Sequence, residues 1–229
     1  MKRLVLASAL LGLAGAIANA NAAPINSATV TIWSGASGGG AGGAGNQGLP
    51  TSTGLFAGPL PLIAGSAAFV APINYNDSTT NTVAGFFASD TPAQGVPATC
   101  VGTCPTQILS TSGFGNATTF RFSFTASASG TLNVTHDDGV SLFVAGTEPA
   151  LANDLFPVSA SAPTFSAVAS AAVTAGVTYD LWYNSANNLP EVLTTDLVIS
   201  AVPEPASLTL LGSALVGLGW FSRRRRKTA

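Results

Sequence analysis

Residues 130–146 read GTLNVTHDDGVSLFVAG. Two runs of alternating apolar and polar residues, Thr131 to Thr135 and Val140 to Val144, flank His136-Asp137-Asp138-Gly139. Alternation at period two marks a half-buried strand, and Asp-Gly is among the best pairs for a type I′ turn. The stretch therefore reads as a β-hairpin with His136 on the surface of its turn. Working outward, the same alternation recurs in Ala28 to Trp33, Val177 to Tyr183 and Val192 to Ile199. In Thr118 to Thr125 it puts Phe120, Phe122 and Phe124 on one face and Arg121 on the other, toward one of the body's acids. No dozen-residue window of the body carries a 3.6-residue stripe, while Gly and Pro punctuate the runs. An all-β fold is expected, an antiparallel sandwich or barrel.

The chain has 229 residues, of which only 8% are charged, against about a quarter in ordinary soluble domains. The charges are unevenly placed. Lys2 and Arg3 open the sequence, and Arg223, Arg224, Arg225, Arg226 and Lys227 nearly close it. Between residues 24 and 202 Arg121 is the one basic side chain, facing nine acids: Asp77, Asp90, Asp137, Asp138, Glu148, Asp154, Asp180, Glu191 and Asp196. A body at −8 cannot neutralise phosphates, which excludes nucleic acid as a partner. One histidine and no lysine in that body leave little for general-base or Schiff-base chemistry.

The two ends read as addresses. Lys2 and Arg3, the uncharged stretch Leu4 to Ile17, and the small-x-small sites Ala18-Asn19-Ala20 and Ala20-Asn21-Ala22 make residues 1–23 a signal peptide, cut after Ala20, Ala22 or Ala23. As a helix the stretch reaches only ~21 Å, short of a ~30 Å membrane core. At the other end, residues 202–229, Pro203-Glu204-Pro205 precedes an uncharged helix over 206–222 of ~26 Å and then the Arg223 to Arg226 cluster. That order of Pro-Glu-Pro, apolar span and arginine cluster resembles the PEP-CTERM sorting signal of Gram-negative bacteria. The resemblance implies recognition by an exosortase after transient anchoring in the inner membrane. It also implies export to the cell surface or extracellular matrix, in a setting of exopolysaccharide and biofilm production.

Between the addresses lie an N-terminal strand and Gly-rich loop (24–54) and the exported sandwich (55–201). Gly38, Gly40 and Gly43 match G-x-G-x-x-G, but Leu49-Pro50-Thr51 cannot open the helix a pyrophosphate requires, so the match is rejected. Cys100 and Cys104, four apart around Gly102, read as a small-loop disulfide of an oxidising compartment.

Asp137 and Asp138 have two readings. They serve a tight turn, or they begin a hard-cation site that needs about six to eight oxygens in all. His136 to Val144 resembles the central motif of the lectin-like β-sandwich shared by anthrax protective antigen and yeast flocculin adhesins. Ala175 to Tyr183 and Glu191 to Ser200 resemble its later strands, so the resemblance covers about residues 115–200. It implies Ca²⁺ at Asp137 and Asp138 through a cis peptide between them, with an asparagine, either Asn184 or Asn187, and loop carbonyls completing the site. The ion would in turn coordinate sugar hydroxyls. The Asn184 to Asn188 loop departs from the adhesins in carrying no aromatic residue. The expected function is an exported, calcium-dependent carbohydrate-binding protein of the matrix. A structural surface protein without a ligand is the alternative. Ice binding ranks below both, since no regular Thr ladder is visible. Catalysis ranks last, since no G-x-S-x-G or H-E-x-x-H is present.

Overall fold

β6 (Gly130–His136) and β7 (Gly139–Val144) are both strands, yet they do not pair with each other. A computed structural model describes residues 22–23, 25–36, 62–69, 72–90, 93–111, 117–148, 151–156, 167–186 and 188–199. In it the two strands belong to different sheets. β6 is bonded to β8 (Ala167–Val173) and β10 (Glu191–Ile199), whereas β7 is bonded to β9 (Thr178–Ser185). The expected hairpin is thus a corner, at which Asp137 and Asp138 carry the chain from one sheet to the other. A type I′ turn needs positive φ at both central residues, and of the two only Asp138, at +71°, has it. Burial adds a second reason. Leu132 and Val134 of β6 and Val140 and Leu142 of β7 are all fully buried in one core, which each strand lines from its own sheet.

The described residues are mostly β, in two antiparallel five-stranded sheets. One runs β1-β10-β6-β8, where β1 is Ala22–Ala23, and β4 (Asn74–Asp77) pairs with β10 beside β1. The other runs β3-β2-β5-β9-β7, with β2 Ala28–Ala36, β3 Leu62–Phe69 and β5 Ala117–Thr125. β2, expected ahead of the sandwich in the 24–54 segment, lies inside it. It is bonded to β3 and β5, and its Val30 and Ile32 are fully buried.

Phe120 and Phe122 point inward from β5, as their alternation requires, and meet Tyr75 of β4 and Tyr183 of β9. A single turn of helix, α1 (Val83–Ala88), adds Phe86 and Phe87 to this aromatic core. Thr82 caps it by accepting from the Gly85 N–H at 3.1 Å. Each such fully buried aromatic contributes about 1.5–3 kcal/mol by leaving water. Cys100 and Cys104 are joined by a disulfide, and both are buried. Among the described residues no helix is long and apolar enough to cross a membrane. The expected signal peptide up to residue 21, the Gly-rich loop from residue 37 and the expected helix over 206–222 lie outside the described residues.

Candidate functional site

The corner between the sheets gathers the acidic groups. The Asp137 N–H donates to the carbonyl of Val192 on β10 at 3.0 Å, which ties the corner to the first sheet. His136, in phase with Leu132 and Val134, is fully buried and not on the surface. Its Nδ1 lies 2.7 Å from the Asp138 carbonyl oxygen. A carbonyl only accepts, so Nδ1 carries the proton. On the other side, Asp138 Oδ2 accepts from the Ala186 N–H at 2.7 Å, tying the corner to the end of β9.

Glu191, the first residue of β10, completes the group, and the sequence reading did not single it out. It is fully buried. Its Oε1 accepts from the Ser110 hydroxyl and its Oε2 from the Tyr183 hydroxyl, each at 2.8 Å. Ser110 Oγ in turn accepts from the Asn188 N–H at 2.8 Å, and Asn81 Nδ2 donates to the Asn188 side-chain oxygen at 2.7 Å. The signal for Glu191 was its phase, since it alternates inward with Leu193, Thr195 and Leu197.

Asp138 and Glu191 hydrogen-bond each other. Burial pushes the Asp138 carboxyl well above the ordinary carboxylate range, the Glu191 charge pushes it further, and Asp137 adds to both. Burial also raises Glu191, against the lowering effect of the hydroxyls that bond it. Two buried acids in contact cannot both ionise cheaply, so the pair keeps a proton that an exposed carboxyl group would give up. Burial raises Asp137 as well. Among the described residues no lysine or arginine comes to this corner, since Arg121 lies with two tryptophans on the other side of β5 from the core.

Asn184 is beside the corner along the chain, paired in register with Gly139, but its side chain goes elsewhere. Neighbouring residues of a strand face opposite sides. Tyr183 points inward to Glu191, while the Asn184 oxygen accepts from the Thr119 hydroxyl at 2.7 Å on the outer side. Its Nδ2 is buried without a partner. Asn187, the other candidate, lies outside the described residues. The cis peptide among the described residues is Leu189–Pro190, and the Asp137–Asp138 bond is not cis.

A hard cation suits the three carboxyl groups of the corner, beside which His136 turns its Nδ1 to the Asp138 carbonyl. Among the described residues, however, no three acidic, histidine or cysteine side chains close on a common point. Asp138 and Glu191 meet, and Asp137 acts on them through its charge.

Residues 201–226 match the PEP-CTERM protein-sorting motif, so Pro203, Glu204, Pro205 and Arg223 to Arg226 fall within a matched segment. The motif implies export, processing by an exosortase and a surface or extracellular address. The chain is similar to the PA14 domain of the antifreeze protein MpAFP, at 12% identity and a TM-score of 0.41, over 76% of this chain and 84% of that one. It is also similar to the A domain of epithelial adhesin 6 from Candida glabrata in complex with Galβ1-3GlcNAc. There the identity is 12% and the TM-score 0.33, over 80% of this chain and 83% of that one. No curated protein matches the sequence.

Proposed function

We propose that the exported body is a calcium-dependent carbohydrate-binding module of the cell surface or biofilm matrix, with the ion held at the corner between the sheets. The observation that carries this reading is the burial of Asp137, Asp138 and Glu191 at one corner, close enough that the charge of Asp137 raises both of the others. A divalent ion there would replace the proton that the pair otherwise keeps and would offset the charge of its neighbours. Asp138 and Glu191 are the residues to hold it, joined by Asp137. At 7% exposure Asp137 is the most accessible of the three and marks the side from which ion and sugar would arrive. Catalysis is not part of the proposal, because Asp138 and Glu191 are 4% and 0% exposed and out of reach of a substrate bond.

A second reading rests on a different observation. Asp138 and Glu191 already have Ala186, Ser110 and Tyr183 as partners, and an acid pair that keeps a proton needs no metal. On that reading the body is a structural surface protein. Thermal unfolding of the full chain in excess Ca²⁺ and in chelator separates the two. A site filled to a hundred times its dissociation constant adds about 2.7 kcal/mol, several degrees in a domain of this size. Glu191→Gln should abolish that shift. A melt indifferent to saturating Ca²⁺ leaves the structural reading standing.

A further inference from the structure

Arg121 has no carboxylate partner, although the body carries nine. All nine acids between residues 24 and 202 are among the described residues, and none of them forms an ion pair with it. Asp180, on the same outer face of β9, bonds the Ser123 hydroxyl and shares a hydrogen bond with Glu148. Of the five N–H donors of the guanidinium, one reaches Thr31 Oγ1 at a long 3.4 Å, and Nε is buried with no partner. The group rests instead on aromatic faces. Its Cζ lies 5.7 Å from the Trp33 ring centre and 5.6 Å from that of Trp182, within cation–π range. The two rings stack at 5.2 Å and 19° across β5, Trp182 buried beneath and Trp33 half-buried above it.

The strand register explains how they meet. β5 runs between β2 and β9, with Arg121 opposite Thr31 on one side and Trp182 on the other. Trp33 is opposite Thr119, one outward position along β5. The inward Phe120 and Phe122 fix the phase of the strand, so Arg121 and both tryptophans share the outer face. This places the only fixed positive charge of a body at −8 beside the only two tryptophans of that body, with hydrogen-bonding capacity unspent.

We propose that the Trp33–Arg121–Trp182 face binds an acidic sugar, a uronate residue of an anionic polysaccharide. The guanidinium fork matches a carboxylate in bidentate geometry, and a pyranose ring packs its C–H face on the half-buried Trp33 ring. The charge of the body repels a polyanion at long range, but a Debye length of about 8 Å at physiological ionic strength confines that repulsion. The contact is independent of the Asp137–Asp138 corner and needs no metal.

The test titrates the full chain with an α-1,4-linked galacturonate trimer in 150 mM salt with chelator present, following tryptophan fluorescence and calorimetric heat. The same trimer as its methyl ester removes the charge and keeps the rings. Saturable binding of the acid form, at least tenfold tighter than of the ester, is expected. Arg121→Gln should remove that preference, and Trp33→Leu should weaken both ligands. Arg121→Lys keeps the charge without the fork and should recover only part of the preference. Should Arg121→Gln not fold, as its melt would reveal, Trp33→Leu and the ester comparison decide alone. Equal binding of acid and ester, binding untouched in Trp33→Leu, or no saturable binding of the acid form overturns the proposal.

Discussion

The carboxyl groups of Asp138 and Glu191 hydrogen-bond each other, linking the corner between the sheets to the start of β10. Asp138 closes the corner that leads into β7, and Glu191 starts the central strand of the other sheet. The contact joins the two layers at one end of the core, where the rest of the interface is apolar and aromatic. It also makes the pair sensitive to anything that alters its shared charge.

The first consequence is a dependence of stability on pH. Both folded-state values are raised above the unfolded range near 4. The native state then binds more protons than the unfolded chain, so stability is greatest at the acid end and falls as pH rises through neutrality. Melts from pH 5 to 8.5 in chelator should show a falling Tm for the wild type. Asp138→Asn, which keeps an acceptor for the Ala186 N–H, should flatten the curve. A wild-type Tm that climbs over that range contradicts the shared proton.

Asp77 has the opposite sign. Burial alone would raise it, but the Thr80 hydroxyl at 2.6 Å and the N–H groups of Thr79 and Thr80 at 2.9 Å outweigh burial and hold it below the usual carboxylate value. Its contribution is complete above about pH 4 and disappears as pH falls through the depressed folded value. Asp77→Asn should cost about 0.5–2 kcal/mol at pH 6, the range for losing a side-chain cap of this kind. In urea unfolding the gap between variant and wild type should narrow at pH 3.

Among the three cleavage sites expected of a signal peptide at residues 1–23, the pairing of β1 favours one. Ala22 and Ala23 form β1, opposite Val198 and Leu197 of β10. Cutting after Ala22 leaves only the Ala23 half of that pairing and cutting after Ala23 removes it, whereas cutting after Ala20 keeps it whole. Mass spectrometry of the exported chain should find Asn21 at the N-terminus. A start at residue 24 would mean that β1 does not survive export, and a start at 23 that only its Ala23 half does.

The Cys100–Cys104 bridge closes a loop with a sequence separation of 4. In the chain-entropy view a loop this short contributes about 2 kcal/mol. The double variant Cys100→Ser, Cys104→Ser should lose about that much, and also bury two hydroxyls in place of sulfur. Denaturant midpoints with unchanged m-values would check it. No loss would mean that the surrounding loop holds its shape unaided.

How much of this was legible in the sequence depended on side-chain size. β5, β6, β7, β9 and β10 announce themselves because Phe, Leu, Val and Tyr alternate with Ser, Thr and Asn. β3 (LIAGSAAF) and β8 (AVASAAV) do not, since Ala, Ser and Gly carry little strand preference and owe their extension to their neighbours. α1 is six residues long, too short to show a helical stripe. Asp-Gly gave the location of a chain reversal but not its partner strand, because pairing is decided by which wall of the core each strand covers. Asp137 and Asp138 were visible as a motif. Glu191 was hidden by distance along the chain, and its one local sign was a carboxylate in phase with leucines. Asn184 was drawn to the corner by position, while strand alternation turned its amide to the other face.

One feature of the first sheet has a mechanical meaning. β10 is the last strand before the segment that carries the sorting motif, and it is held on both edges, by β6 along one and by β4 and β1 along the other. Tension applied beyond Ile199 would meet β6 and β1 first, at Leu197 to Ile199, and β4 only at Glu191 to Thr194. At its far end β10 is pinned across the core through Glu191. The strand that leads into the sorting segment is thus one bonded along both of its edges, so a pull on it must shear hydrogen bonds on two sides.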